Sequence, residues 1–318
     1  MKRRIGMRAL KYVAPALTLA VVILTGTACT KAPGPMKFAT PEAAATTLLQ
    51  ALKNNDTNKL GDIFGRDNLE AIASGDPVAD RHDREIIALA MEQSQRWAPL
   101  AEGRLELIVG EEQWPLPAPL VKEGSAWRFD SESAIQEVLA RRVGRNELAV
   151  IRLCRAYLDF QQEYASQSHD GKPAGLFAQR IRSNPDREDG LYYPRKPGQK
   201  PSPLGDLAAK AAQEGHDAKQ TELIPFWGYY FRILTAQGDR ASGGRKSYLA
   251  NGDMSAGFAL VAFPAKYAAS GVMTFIVNQD GVVYEKDLGP ETEKLVAGIS
   301  EFNPDETWSV VDIGKESI

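Results

Sequence analysis

The sequence predicts an α+β protein, in which helices and antiparallel strands occupy separate stretches of the chain. Apolar residues recur at helical spacing near the N-terminus and again from Glu147 to Ala165. After each of these stretches the apolar period shortens towards two, which is typical of half-buried strands. The last third is the richest in such strands. It also carries Asp280-Gly281, a dipeptide that favours the turn of an antiparallel hairpin.

Composition excludes several functions and selects none. The 318 residues suggest about two domains. The 38 basic and 41 acidic side chains give a formal net charge of −3, so there is no basic surplus for a nucleic-acid backbone. Two cysteines can build neither a four-cysteine zinc site nor a disulfide framework. We expect no cofactor and no nucleic-acid partner.

The first 28 residues have the pattern of a signal peptide. Five basic side chains precede an apolar run from Val13 to Leu24, and no acidic residue lies among them. That run is far shorter than the ~20 residues needed to cross a bilayer. The following stretch, Thr25 to Cys29, resembles the bacterial lipobox, although Gly26 stands where leucine is usual. The resemblance implies cleavage before Cys29 and its acylation by palmitate-type chains. The alternative is cleavage after Ala28 in a plain secreted protein.

The predicted processing changes the charge of the protein. Removal of the signal peptide leaves 33 basic against 41 acidic side chains, a formal charge of −8. An acidic protein is a poor ligand for anionic lipid or nucleic acid. Thr30 after the cysteine, in place of aspartate, resembles the sorting pattern of outer-membrane lipoproteins. We therefore expect a lipid anchor in the cell envelope, facing the periplasm, with an envelope protein as a further partner.

The chain is predicted to have four parts: a lipoprotein signal peptide (1–28), a tether (29–38), an N-terminal α+β unit (39–143) and a C-terminal unit (144–318). In the N-terminal unit, Thr40 is expected to cap a helix that starts at Pro41. Two further helices are expected at Thr57–Phe64 and Asp83–Trp97. Alternation from Leu105 predicts a strand, and Leu120–Phe129 reads as strand, turn and strand. The initial pair of helices resembles the start of NTF2-like domains.

In the C-terminal unit, Gly144 is expected to separate a helix that ends near Val143 from a long helix, Glu147–Ala165. Gly171–Leu204 is expected to be mostly irregular, and Leu207–Glu214 to form a short helix. Strands are predicted in the last third, followed by a helix from Thr292 to Phe302. They cover the following stretches: Tyr229–Ala236, Phe258–Phe263, Gly271–Val277 and Val282–Lys286. A long helix followed by an antiparallel meander resembles the order of pilin-like domains.

Six short motifs are distributed along most of the chain: WRFD (127–130), RRVGRNEL (141–148), DGLYYP (189–194), GYYFRILT (228–235), GVMTFIVN (271–278) and YEKDLG (284–289). Together they resemble a bacterial family of exported proteins and lipoproteins, domain of unknown function DUF2950. The resemblance covers nearly all of residues 38–312 and implies no assigned activity, substrate or catalytic residue.

The clearest candidates for catalysis are the carboxylates Asp186, Glu188 and Asp189, here called the acid cluster. Acid pairs beside aromatic residues can hydrolyse glycosidic bonds or hold calcium. The cluster lacks the spacing of a calcium-binding loop, and a solvated turn is the simpler interpretation. The histidines, at positions 82, 169 and 216, lie far apart in polar contexts, so each is expected to be exposed and no metal site is predicted. Cys154 is expected to be a core residue.

Aromatic residues provide the best candidate binding surface. Tyr192, Tyr193, Trp227 and Tyr230 could grip a glycan or a peptide if they share a groove. Strand alternation sends neighbours to opposite faces, so core packing is the competing interpretation. The sequence therefore favours a non-catalytic binding or assembly module of the envelope. The alternative is an envelope hydrolase that acts on glycan or peptidoglycan through the acid cluster.

Overall fold

The computed structural model describes residues 34–74, 76–195, 200–207 and 225–312. It begins with four helices: α1 (Pro41–Lys53), α2 (Thr57–Phe64), α3 (Arg66–Ala71) and α4 (Pro77–Gln93). The start of α1 is confirmed, because the Thr40 side chain accepts a hydrogen bond from the N–H of Ala43 at 3.2 Å and Pro41 follows. The bounds of α2 are also confirmed.

Helix α4 differs from its prediction at both ends. It starts six residues earlier than Asp83, because Asp76 caps it by accepting hydrogen bonds from the N–H groups of Val78 and Ala79. It ends at Gln93 because Ser94 adopts an extended conformation. Trp97 therefore lies in a strand and not in the helix.

A small antiparallel sheet follows these helices. Its strands are β1 (Gln95–Ala101), β2 (Arg104–Val109), β3 (Trp114–Pro115), β4 (Leu120–Glu123) and β5 (Ala126–Phe129). The strand order is β1-β2-β4-β5, and the short β3 pairs with the end of β2. The predicted strand at Leu105 and the predicted strand-turn-strand at 120–129 are both confirmed.

Helix α5 (Ser131–Ala165) is a single helix of 35 residues. The predicted break at Gly144 is wrong. One glycine inside a helix costs only about 1 kcal/mol, and both halves of α5 are packed against hydrophobic clusters. Asp130 is the N-cap of α5 and accepts a hydrogen bond from Ser133 N at 3.4 Å.

The last third forms a second antiparallel sheet, as predicted. Its strand order is β14-β13-β12-β11-β6. The strands are β6 (Tyr229–Leu234), β11 (Ala259–Pro264), β12 (Met273–Asn278), β13 (Tyr284–Asp287) and β14 (Ser309–Val310). Two short ladders pair β7 (Ala236–Gln237) with β8 (Lys246–Ser247), and β9 (Leu249–Ala250) with β10 (Asp253–Met254). Helix α6 (Thr292–Ala297) is shorter than predicted, because Gly298 follows and Phe302 bridges to Gln237.

Buried residues in the described part of the chain form two hydrophobic clusters. One lies among α1, α2, α4, the first sheet and Ala134 of α5. The other lies between the second sheet and the later part of α5, from Val150 to Tyr164. We call these parts the N-terminal region (34–143) and the C-terminal region (144–312). The α+β class is confirmed, whereas the division into two domains and the NTF2-like and pilin-like analogies stay predictions.

Within residues 171–195 and 200–204, no helix or strand is present, which agrees with the predicted irregular segment. The predicted signal peptide, Cys29, and residues 208–214 of the predicted short helix lie outside the described residues. No helix in the described ranges is both long and apolar enough to cross a membrane.

Candidate functional site: an apolar cavity in the N-terminal region

The acid cluster is engaged within its own loop. Asp189 accepts hydrogen bonds from the backbone N–H and the side-chain amide of Asn184, at 2.9 and 2.7 Å. Its carboxylate also lies 3.6 Å from Arg187 Nε. Asp186 is exposed and has a positive φ of 60°, as expected of a turn residue. The Asp189 carboxylate therefore holds the loop together, whereas Asp186 occupies an exposed turn position.

The third member of the acid cluster points to a buried histidine. Glu188 Oε2 lies 3.6 Å from His169 Nδ1. The prediction that His169 is exposed is wrong, because only 7% of the residue is accessible. Its ring stacks on Tyr164 at a centroid distance of 3.9 Å, and its Nε2 lies 2.9 Å from the Tyr164 carbonyl. His82 is exposed as predicted, and His216 lies outside the described residues.

A small polar cavity of about 190 Å³ lies beside this histidine. Asp189 is the one member of the acid cluster that lines it, together with Asp170 and Asp253. Asp170 accepts from the N–H of Glu188 at 3.1 Å, and Asp253 pairs with Lys172 at 2.5 Å. Among the described residues, no group of three histidine, cysteine, aspartate or glutamate side chains is placed to hold a metal ion.

The four candidate aromatic residues lie in separate surroundings. Tyr193 is buried near His169, at a ring distance of 6.0 Å, whereas the Arg182 guanidinium lies 5.0 Å from the Tyr192 ring. Trp227 packs on Phe226 at 4.2 Å, and Tyr230 packs on Phe263 at 5.6 Å. None of the four lines the polar cavity or the larger cavity described next.

The larger cavity has a volume of about 650 Å³ and lies in the N-terminal region. We call it the apolar cavity, because aliphatic and aromatic side chains make most of its wall. Helices α1 to α5 and the segment after β3 supply its lining. The apolar lining residues are Leu48, Leu52, Leu60, Phe64, Leu69, Ile72, Ala73, Pro77, Ile87, Leu116, Pro117, Ala118, Ala134, Ile135 and Val138.

One face of α5 explains how the chain builds this wall. Ala134, Ile135, Val138 and Arg142 recur at intervals of three and four residues and all line the apolar cavity. This face was not predicted from the sequence as part of a site. The pattern that could have indicated it is an apolar helical stripe that ends in an arginine, in a stretch that was predicted to be helical.

Helix α3 forms a thin part of the same wall. Four of its six residues line the apolar cavity, yet α3 contains no buried residue. Gly65 precedes it with a φ of 91°, a conformation that favours glycine, and no side chain caps the helix. Helix α3 therefore covers the cavity with partly buried and exposed side chains, of which Leu69 packs against the hydrophobic cluster.

A buried ion pair stands at the α5 side of the apolar cavity. Arg142 Nη2 lies 3.3 Å from Asp80 Oδ1, and the two side chains are only 10% and 14% exposed. Arg142 Nη1 also donates to the Ile72 carbonyl. Burial lowers the pKa of the Arg142 guanidinium, and the neighbouring Asp80 carboxylate opposes that shift. Asp80 in turn accepts from Ser74 N at 3.1 Å.

A second buried polar group joins α5 to the C-terminal sheet. Glu147 Oε1 accepts hydrogen bonds from the backbone N–H groups of Val272 and Met273, at 2.9 and 3.0 Å. Asn146 donates to the Ser270 carbonyl at 2.9 Å, and Tyr229 donates to the Met273 carbonyl at 2.9 Å. Three of the quoted motifs, at 141–148, 228–235 and 271–278, therefore meet at this junction.

Cys154 is fully buried in the C-terminal cluster, as predicted. Burial raises the pKa of its thiol to about 12, so the thiol stays protonated at neutral pH. The residue packs as a small apolar side chain, and a protonated thiol is a poor nucleophile.

Comparison with known proteins agrees with the motifs. No curated protein and no solved structure shows significant similarity to the chain. A family model described as "Protein of unknown function (DUF2950)" matches residues 36–311, which include both regions and all of α5. The chain belongs to the DUF2950 family.

Proposed function

We propose that this protein is a non-catalytic binding module of the bacterial cell envelope, and that the apolar cavity holds its ligand. The observation that carries the proposal is the cavity itself. Its volume of about 650 Å³ falls in the range of roughly 300–1,000 Å³ that is typical of small-molecule sites. A cavity of this volume with a mostly apolar lining fits an apolar small molecule.

The polar groups support binding more than catalysis. Asp189 accepts its hydrogen bonds from Asn184 of the same loop, and Glu188 faces His169. Of the three carboxylates, Asp189 lines the polar cavity, and none of them lines the apolar cavity. In the apolar cavity, the most buried charged groups form an ion pair with each other. A glycan hydrolase needs a pair of carboxylates that face an open pocket. The contacts of the acid cluster and of the Arg142–Asp80 ion pair do not favour such an arrangement.

We also propose that a lipid on Cys29 holds the protein in the envelope, facing the periplasm from the outer membrane. The support is the basic, apolar and small-residue order of the first 29 residues. Several acyl chains anchor a protein far more firmly than one, because each buried CH₂ contributes about 0.8 kcal/mol. The Cys29→Ala variant should appear in the soluble fraction and fail to incorporate labelled palmitate. Retention of that variant in the membrane contradicts the anchor.

The binding proposal is tested with a fluorescent apolar probe, such as a naphthylamine dye, added to the purified chain without its lipid. We expect saturable binding that the Val138→Trp variant abolishes, because the indole fills the apolar cavity. Leu148→Trp is the matched control, since Leu148 is an exposed residue of the same helix and does not line the cavity.

Two outcomes overturn the proposal. One is equal probe binding by wild type and Val138→Trp, which removes the cavity as the site. The other is release of soluble fragments from peptidoglycan by the wild type but not by the Asp186→Ala, Glu188→Ala, Asp189→Ala triple variant. That result would establish the hydrolase instead.

A further inference from the structure

The guanidinium of Arg142 has hydrogen-bonding capacity that the protein does not use. A guanidinium carries five N–H donors. The structure shows acceptors for two of them, the Ile72 carbonyl and the Asp80 carboxylate. The other three find no acceptor among the described residues. Nine-tenths of the side chain is shielded from solvent, so these donors lie in the wall of the apolar cavity.

These donors are open to a polar atom of a ligand. In the described part of the chain, no nitrogen of Arg142 is both buried and without a hydrogen-bond partner, so the unused donors keep access to the cavity that the residue lines. A ligand that brings an acceptor to Arg142 replaces water there with a charge-assisted hydrogen bond. The apolar wall selects a hydrocarbon chain, and Arg142 selects a polar end.

The charges around the apolar cavity decide which polar end fits. Three arginines and three carboxylates line it, so its formal charge is zero. They are Arg66, Arg84, Arg142, Glu70, Asp80 and Asp83. Arg142 is already neutralised by Asp80 at 3.3 Å. A ligand carboxylate next to Arg142 is therefore repelled by Asp80 and must give up its own hydration. An uncharged acceptor avoids both penalties.

We infer that the apolar cavity takes an uncharged amphiphile, an acyl chain with an ester or amide carbonyl that accepts hydrogen bonds from Arg142, in preference to a free fatty acid. This inference rests on the proposed function and deepens it. It makes Arg142 the residue that determines specificity, whereas the aliphatic wall supplies most of the affinity.

The test is displacement of the fluorescent apolar probe at neutral pH, where a fatty acid is ionised. Monomyristoylglycerol and methyl myristate should each displace the probe at about tenfold lower concentration than myristate, because the carboxylate of myristate is repelled by Asp80 and loses its hydration, whereas the uncharged esters avoid both penalties. Probe binding with equal displacement by all three overturns the inference and leaves the proposed function standing. Absence of any probe binding overturns both.

Variants assign the preference to Arg142. The double variant Asp80→Asn, Arg142→Gln removes both charges together, so that no buried charge is left unpaired. Its preference for the esters over myristate, measured as the ratio of the displacing concentrations, should fall severalfold. Arg145→Gln is the matched control, because Arg145 forms an exposed pair with Asp83 and does not line the cavity.

A plain alkane of the same chain length gives a second readout, since it makes no polar contact with Arg142. In the double variant, the affinity for the esters relative to the affinity for the alkane should fall severalfold. An unchanged ester preference overturns the role of Arg142. Equal loss of alkane and ester binding also overturns the assignment of Arg142 as the specificity residue.

Discussion

Two parts of the molecule differ in how closely they are packed. At the junction between α5 and the second sheet, a Cβ on Gly271 would collide with the Tyr229 side chain, and one on Gly228 would lie 2.8 Å from Asn146 Nδ2. In the N-terminal region, the corresponding distances at Gly61, Gly65 and Gly110 are 3.0 Å or more, and a cavity of about 650 Å³ remains open. The junction is packed to fix a backbone, whereas the N-terminal region leaves room for a ligand.

The strongest test of this contrast is Gly271→Ala. The added methyl group meets the buried Tyr229 ring, which is held by its hydrogen bond to Met273 and cannot move away. We expect a loss of about 3 kcal/mol or more in the free energy of unfolding, measured by urea denaturation. Gly144→Ala is the control, because that Cβ meets nothing within 4 Å, and alanine should stabilise α5 by about 0.5–1 kcal/mol. Similar behaviour of the two variants would contradict tight packing at Gly271.

The next largest effect is expected at the junction between α5 and the second sheet. Glu147→Ala leaves the N–H groups of Val272 and Met273 without their acceptor, so the free energy of unfolding should fall by about 2–3 kcal/mol. Glu147→Gln keeps an acceptor oxygen and should lose less. Leu148→Ala, at the adjacent exposed position, serves as the control for changes on the same helix. A loss of similar size for Leu148→Ala would remove the special role of Glu147.

A pair of matched substitutions compares the two regions directly. Ala262→Leu enlarges a fully buried side chain in β11 and should cost about 1–3 kcal/mol by overpacking. Ala134→Leu enlarges a buried side chain that lines the apolar cavity, where space is available, and should change stability by less than about 1 kcal/mol. Denaturation midpoints of the two variants measure the difference. Equal losses would show that the cavity closes in solution.

The smallest expected effect concerns pH. Burial raises the pKa of Glu285, and the carboxylate of Glu147 raises it further. A raised pKa in the folded state means that the unfolded chain loses this proton at lower pH. The contribution of Glu285 to stability is therefore complete below the ordinary carboxyl pKa and is lost as pH rises through the raised one. Glu285→Gln should flatten the stability profile over that window, and an identical slope in the variant would contradict the assignment.

The sequence predicted the elements that depend on local signals. Thr40-Pro41 located the start of α1, and alternation of apolar residues located the strands of the second sheet to within a few residues. Asp76, which starts α4, was overlooked because the apolar periodicity becomes clear only after Asp83. The break predicted at Gly144 was wrong, because the free-energy cost of one glycine in a helix is local and small. The contacts that stabilise α5 come from both hydrophobic clusters.

The candidate site depended on information that a single sequence does not carry. His169 stands in a polar stretch, yet Tyr164 at the end of α5 and Tyr193 from further along the chain enclose it. The apolar cavity lies between helices α1 to α5 and the segment after β3. No local sequence pattern predicts an empty space between elements that are distant in the chain. Arg142 belongs to a quoted motif, but its partner Asp80 lies 62 residues earlier in the chain. Long-range pairs of this kind become visible only when the fold is known.

Because α5 is continuous, the rotation and the distance along the helix between its two sets of contacts are fixed. Ala134, Val138 and Arg142 face the apolar cavity, and Asn146 and Glu147 bind the second sheet a turn later on the same helix. Because each residue of an α-helix advances the chain by about 100° and about 1.5 Å, one inserted residue near Gly144 would turn the ligand wall away from its cavity or the anchor away from its sheet. Substitutions along α5 change one contact at a time, whereas a single insertion or deletion changes all of them. The number of residues between Arg142 and Glu147 is therefore under stricter constraint than the identity of those that lie between them.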